Sequence, residues 1–185
     1  VLAATVQDLG TLGGESSVAT AIDGTIVVGR AQTASGAWRA FAYDLADPGT
    51  GMVNLGTLGG FSTAEAVDGT LVTGQANVPR HEYHTFVYDL ADPAAGMVDL
   101  GHRGDVSINN TSDVDQGVVV GQRVFGTRTR AFAYDTQGAN PHPVSLGTVF
   151  GHSSGATAID DGIVVGMSWR VGQDHPFAVD LADPD

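Results

Sequence analysis

Apolar and polar positions alternate along this chain in short runs, and turn residues interrupt every run. No stretch keeps a helical apolar spacing over several turns, so the pattern predicts strands throughout. The first runs are Ser17 to Ile22, Thr25 to Ala31, Trp38 to Leu45 and Met52 to Leu55. An Asp23-Gly24 pair separates the first two, a strong hairpin signal because both residue types tolerate positive φ. The third run alternates Arg39, Phe41 and Tyr43 against Trp38, Ala40 and Ala42, and stops at Ala46-Asp47-Pro48, since Pro cannot donate to a sheet ladder.

This four-run plan recurs. Leu-Gly pairs stand at 9–10, 55–56, 100–101 and 146–147, spaced by 46, 45 and 46 residues. Gly29, Gly74, Gly121 and Gly166 close the second run of each unit, and Phe41, Phe86, Phe132 and Phe177 sit in the third. Periods of this length mark repeat architectures. Four strands in each of four units predict an all-β, four-bladed β-propeller, with a stacked β-solenoid as the alternative. The predicted blades are residues 9–54, 55–99, 100–145 and 146–185, in one domain. The last unit lacks a fourth run. Residues 1–8, which match the fourth run of the other units, are expected to complete that blade and close the ring.

Composition narrows the partners. The net charge is −13, from 21 acids against 8 bases, and every base is Arg. Nucleic acid and anionic membrane surfaces are therefore not expected as partners. Cysteine is absent, which excludes disulfides and thiolate metal sites. The chain shows no charged-then-apolar leader, so export is expected to leave Val1 behind a removed segment.

The repeat resembles the HAF family of bacterial repeats. The resemblance rests on LGTLGG at 9–14 and 55–60, the Ala-x-Ala-Ile/Val-Asp-Gly segment, the Val-Val-Gly triplet, and the His/Arg-x-Phe string at Arg39, His84, Arg130 and His175. It covers essentially the whole chain. It implies a β-rich extracellular repeat protein and assigns no chemistry, so no catalytic residue is carried over from it. A biosynthetic enzyme would instead be cytoplasmic.

In a four-stranded meander, the turns after strands one and three share one face, and those after strands two and four share the other. The first face collects repeated aspartates, including Asp23, Asp68, Asp115 and Asp160, which read as solvation and turn chemistry. The second takes all eight Arg, five of six His and most large aromatics, and its loops differ between units. Divergent loops on a repeated frame point to binding or catalysis.

Four residues are candidates for acid–base work. His84 and His175 alternate with Arg39 and Arg130 at one repeat position, an arrangement able to clamp an anion. Glu82 lies in the dense run Arg80-His81-Glu82-Tyr83-His84. Asp113 places a carboxylate where the other units have Ala21, Ala66 and Ala158. Candidate ligand-binding residues are Arg39, Arg130, His81, Tyr83, His102, Arg103, Trp38, Trp169, Phe125 and His152. Arg39, His84, Arg130 and His175 have a structural alternative, that each caps its own blade, and the run from Arg80 to His84 has another, an exposed polar loop. No metal or cofactor motif is present. The expectation is a monomer that binds one small anionic or aromatic molecule in an asymmetric pocket, either with cofactor-free cyclase, isomerase or lyase chemistry or as an extracellular binding or scaffolding module for carbohydrate or protein.

Overall fold

The computed structural model describes residues 4–79, 83–101, 108–139 and 141–182, with the side chains of residues 108–110 and 125 left aside. All its regular structure is strand. Sheet one runs β1 (Gly13–Asp23), β2 (Ile26–Thr33), β3 (Trp38–Asp44) and β4 (Val53–Gly56). Sheet two runs β5 (Ser62–Asp68), β6 (Leu71–Asn77), β7 (Tyr83–Asp89) and β8 (Val98–Asp99). Sheet three runs β9 (Ile108–Asp115), β10 (Val118–Phe125), β11 (Arg128–Asp135) and β12 (Val144–Ser145). Sheet four holds β13 (Ser153–Asp160), β14 (Ile163–Arg170) and β15 (Gln173–Asp180). Each sheet is an antiparallel meander, and the predicted strands of the first unit fall within two residues of the observed ones, except that β1 begins four residues earlier, at Gly13.

Two local devices explain the repeated glycines. The first strand of every blade bulges at Thr20, Glu65, Ser112 or Thr157. The bulge drives a carbonyl toward the second strand, into the place a Cβ would take. A Cβ on Gly74 would lie 2.1 Å from the Thr63 carbonyl oxygen, and one on Gly29 2.1 Å from that of Val18. The Leu-Gly glycine ends a turn capped by the residue two before it. Asn54 Oδ1 accepts the Gly56 N–H at 2.9 Å, and Asp8, Asp99 and Ser145 do the same in their blades. Gly56 takes φ +87°, which a side chain disfavours.

The core lies between successive blades. Each first strand packs across the face of the preceding sheet: β5 on β1–β3, β9 on β5–β7, β13 on β9–β11. Phe41, Phe86 and Phe132 are fully buried in the stack.

Among the described residues the expected ring closure is not formed. Sheet four has three strands, and residues 4–11 form no strand. Gln7 Nε2 instead donates to Tyr43 Oη of blade one at 3.2 Å, and Leu9 packs beside Tyr43. Among the described residues no inter-blade packing like that of the three internal joints joins sheet four to sheet one. Most of β1 is exposed, although β5 is almost wholly buried. The hydrophobic faces at the two ends of the row thus stay open, and an all-β fold of propeller-like blades describes the chain.

Candidate functional site

The repeated aspartates have specific structural partners. In each blade the acid ending strand three accepts a backbone N–H two residues on: Asp44 from Ala46, Asp89 from Ala91, Asp135 from Gln137, Asp180 from Ala182. These bonds define the turn that the Asp-Leu-Ala-Asp-Pro string predicts. The acid ending strand one does something the sequence reading did not anticipate. Asp23 is not part of the hairpin turn, because Asp23 pairs with Ile26 and the turn is Gly24-Thr25. Its Oδ2 accepts the Gly69 N–H of the next blade at 2.8 Å. Asp68 Oδ2 accepts the Gln116 N–H at 2.7 Å, whereas Asp115 Oδ2, at the same repeat position, is buried without a hydrogen-bond partner. Burial pushes the Asp115 carboxyl above its usual range, with the charges of Asp68, Asp160 and Asp161 adding to the shift.

On the opposite face the candidate residues also stitch blades together. Arg39 Nη1 donates to Trp38 O at 2.8 Å and to Gly60 O of blade two at 2.7 Å. Arg130 Nη1 donates to Thr129 O and to His152 O of blade four. At the same repeat position His84 is buried, and its Nδ1 lies 2.9 Å from Asp99 Oδ2 within its own blade. His175 is exposed, with its ring edge-on to Phe150 at 4.7 Å, and Arg170 covers that same ring at 4.9 Å. Arg39 and Arg130 thus each spend Nη1 on main-chain carbonyls, and His84 Nδ1 is held by Asp99. Asp113 is engaged too: Oδ1 accepts the Val114 N–H at 2.9 Å and Oδ2 the Ile159 N–H of blade four at 3.0 Å.

The aromatics stay within their own blades. Arg30 stacks over Trp38 at 5.5 Å, and Tyr83 meets Phe61 edge-on at 6.1 Å. Trp169 is half-buried in β14, and His152 is exposed. His81, Glu82, His102 and Arg103 lie outside the described residues, as does the side chain of Phe125. Glu65, at the bulge of blade two, accepts from Gln75 Nε2 at 2.9 Å; burial raises its pKa, against that bond and the nearby Arg30 charge. Among the described residues no three His, Asp or Glu side chains converge as metal ligands would.

Two cavities lie on the turn face, between blades. One of about 310 Å³ separates blades one and two, lined by Ile26, Ala42, Tyr43, Asp44, Asp47, Thr50, Gly51, Val53, Tyr88, Leu90 and Pro93. A second, of about 730 Å³, separates blades two and three, with Leu71, Val87, Asp89, Ala95, Gly96, Val98, Tyr134 and Thr136 among its walls. The two are built from matching repeat positions. Ile26 and Leu71 correspond, as do Ala42 and Val87, Asp44 and Asp89, Gly51 and Gly96, Val53 and Val98, and Tyr88 and Tyr134. The sequence reading treated these residues as packing and turn chemistry. The clue available to it was a tyrosine in three of the four blades beside a turn acid, but only stacking the blades shows that a gap opens there.

No family model matches the chain, and no curated protein does. Solved structures do. The chain is similar to a putative TolB from Agrobacterium tumefaciens, at TM-score 0.60 and 12% identity over 85% of this chain and 58% of that one. It is also similar to TolB from Acinetobacter baumannii, at TM-score 0.59 and 12% identity over 90% of this chain and 41% of that one. The chain thus spans less than two thirds of either protein's length. At this identity the likeness speaks for the fold alone, and it is the propeller-like fold that the repeat predicts.

Proposed function

We propose that the protein is a non-catalytic binding module whose ligand sites are the grooves between neighbouring blades on the turn face. One observation carries the reading: two grooves of matching construction recur between successive blades. A fold that repeats its binding residues once per blade is suited to a multivalent ligand. The chemistry of the walls selects the class. Tyrosine rings offer an apolar face, and Asp44, Asp47, Asp68, Asp89 and neighbouring threonines offer acceptors and hydroxyls. Such a groove suits the hydroxyls and C–H faces of a neutral saccharide and repels an anion. An extracellular setting and the HAF resemblance belong with this proposal.

Calorimetric titration with a panel of neutral oligosaccharides tests it. Val53→Arg and Ala95→Arg each fill one groove from an exposed position. Each single change should remove one site from the stoichiometry, and both together should abolish binding. A panel without any binder, or binding indifferent to both arginines, overturns the reading.

A second reading rests on a feature unique to blade two, the buried His84 bonded to Asp99. It places one asymmetric ligand pocket on the Arg/His face, with His84 as the acid–base group. Its signature is turnover lost in His84→Ala with ligand affinity retained.

A further inference from the structure

The first hairpin turn of each blade places a residue in the left-handed region. Blades one and two put glycine there, Gly24 at φ +53° and Gly69 at φ +55°. Blades three and four use residues with side chains, Gln116 and Asp161, both at φ +46°. A side chain in this region carries strain that glycine avoids, and such strain gathers where the side chain has a use. Here the two strained residues hold each other. Gln116 Nε2 donates to Asp161 Oδ1 of blade four at 2.9 Å, and the Gln116 N–H donates to Asp68 Oδ2 of blade two at 2.7 Å. One neighbouring blade thus fixes the backbone of Gln116 and the other fixes its amide. Gln116 lines the groove between blades two and three. With Nε2 committed to Asp161, the atom it offers a ligand is its carbonyl oxygen, Oε1.

The wall beside Gln116 differs from the matching wall of the other groove. Leu90, which lines the groove between blades one and two, gives way to Thr136, and Ala91 to Gln137. Gln137 lies across Gly117, where an added Cβ would stand 2.5 Å from Gln137 Nε2. The groove between blades one and two satisfies most of its polar groups internally. Thr50 donates to Asp47 Oδ2 at 2.7 Å, Asp44 accepts from Thr25 and from the Ala46 N–H, and Tyr43 Oη accepts from Gln7 at 3.2 Å. Ile26, Leu90 and Pro93 make the rest of it apolar. The cavity volumes, about 730 and 310 Å³, differ in the same sense.

Resting on the reading of these grooves as saccharide sites, we infer that the two are unequal subsites, with Gln116 the specificity-determining residue of the larger and Asp161 its positioning residue. The larger groove takes a hydroxyl-rich neutral sugar unit, one hydroxyl donating to Gln116 Oε1 and another accepting from Gln137 Nε2. The smaller groove takes the C–H face of a less polar unit, a deoxy or O-methylated sugar, against Tyr88 and Leu90. A site built from fixed hydrogen-bonding groups rejects a ligand that lacks the matching hydroxyls, because its own polar atoms are then left unpaired, whereas an apolar groove accepts either form.

Calorimetry on single-groove variants tests this, with each oligosaccharide of the neutral panel supplied both free and per-O-methylated. In Val53→Arg, which leaves the larger groove, methylation should weaken binding about tenfold or more. In Ala95→Arg, which leaves the smaller, the two forms should agree within about threefold. Adding Gln116→Gly to Val53→Arg installs the glycine of blades one and two. Affinity for the free saccharide should fall about fivefold, with the circular dichroism spectrum and Tm preserved because glycine relieves the left-handed strain. Asp161→Gly should produce a similar fall although Asp161 does not line the groove, and Asp161→Asn, which keeps a side-chain acceptor, should recover the affinity. Equal sensitivity of the two grooves to methylation, or undiminished affinity in Gln116→Gly, overturns this inference and leaves the groove reading standing. A panel without any binder overturns the groove reading, and this inference with it.

Discussion

Replacing Gly74 by Ala tests how the repeat builds its blades. Gly74 sits mid-strand in β6 opposite Ala64, beside the bulge at Glu65. Its backbone needs no positive φ, so the whole cost comes from space. The added Cβ would stand 2.1 Å from the Thr63 carbonyl oxygen and 2.8 Å from the Ala64 Cα, both backbone atoms that no rotamer change can move. Ordinary contact begins near 3.4 Å, so β5 must retreat from β6 by more than 1 Å at this point. That shift strains a close-packed site, at about 1–3 kcal/mol, and breaks about two ladder hydrogen bonds at ~1 kcal/mol each. The expected loss is about 3–5 kcal/mol. For a chain of this length it lowers Tm by roughly 6–20 °C. Differential scanning calorimetry reads it directly. Gly69→Ala is the control, because a Cβ there meets no atom within 4 Å and costs only its φ of +55°, about 1 kcal/mol. If Gly74→Ala is no worse than Gly69→Ala, the close-approach account of the repeated glycine is wrong.

Ser62→Ala removes a fully buried hydroxyl that accepts the Ala40 N–H of blade one at 2.9 Å and donates to Gly56 O at 2.6 Å. It should cost about 2–4 kcal/mol in urea unfolding, whereas Ser17→Ala, the exposed counterpart in blade one, should stay within about 0.5 kcal/mol. The pH dependence follows the two raised carboxyls. Glu65 and Asp115 hold a proton more readily folded than unfolded, so their contribution to stability grows as pH falls from neutrality toward the unfolded values of 4.5 and 3.8. Glu65→Gln keeps an acceptor for Gln75 and should flatten that slope without lowering stability at pH 7; a steeper slope in the variant would contradict the burial account. Asp44, lowered by the Thr25 side chain and the Ala46 N–H, acts with the opposite sign, and its contribution is lost as pH falls below 3.8 through its folded value.

Much of the fold is legible in the chain because strand and turn chemistry are local. The alternation around Phe41, the Asp-Gly pairs and the Ala-Asp-Pro stops act within a few residues, so four units of short strands follow from their order. The use of the shared residues is a different matter. Asp23, Asp113, Arg39 and Arg130 read from sequence as turn, acid–base or ligand residues, yet each reaches a backbone group of the neighbouring blade. Their partners are 21 to 46 residues away, a separation that no local pattern encodes. The inter-blade grooves are hidden for the same reason, since each wall belongs to a different repeat.

The ends of the chain show the division most clearly. Four matching units and an N-terminal segment resembling a fourth strand are facts of sequence, and a closed ring is the simplest arrangement of them. Closure depends on how far each blade rotates against the last, an angle set by side chains packing across three joints. In the structure residues 4–11 rest on blade one, and Val165 and Ile22 face solvent. Strand and turn chemistry within each repeat sets the blades and their order. How neighbouring blades seat on one another follows from the packing between them, because that geometry accumulates over contacts no single repeat contains.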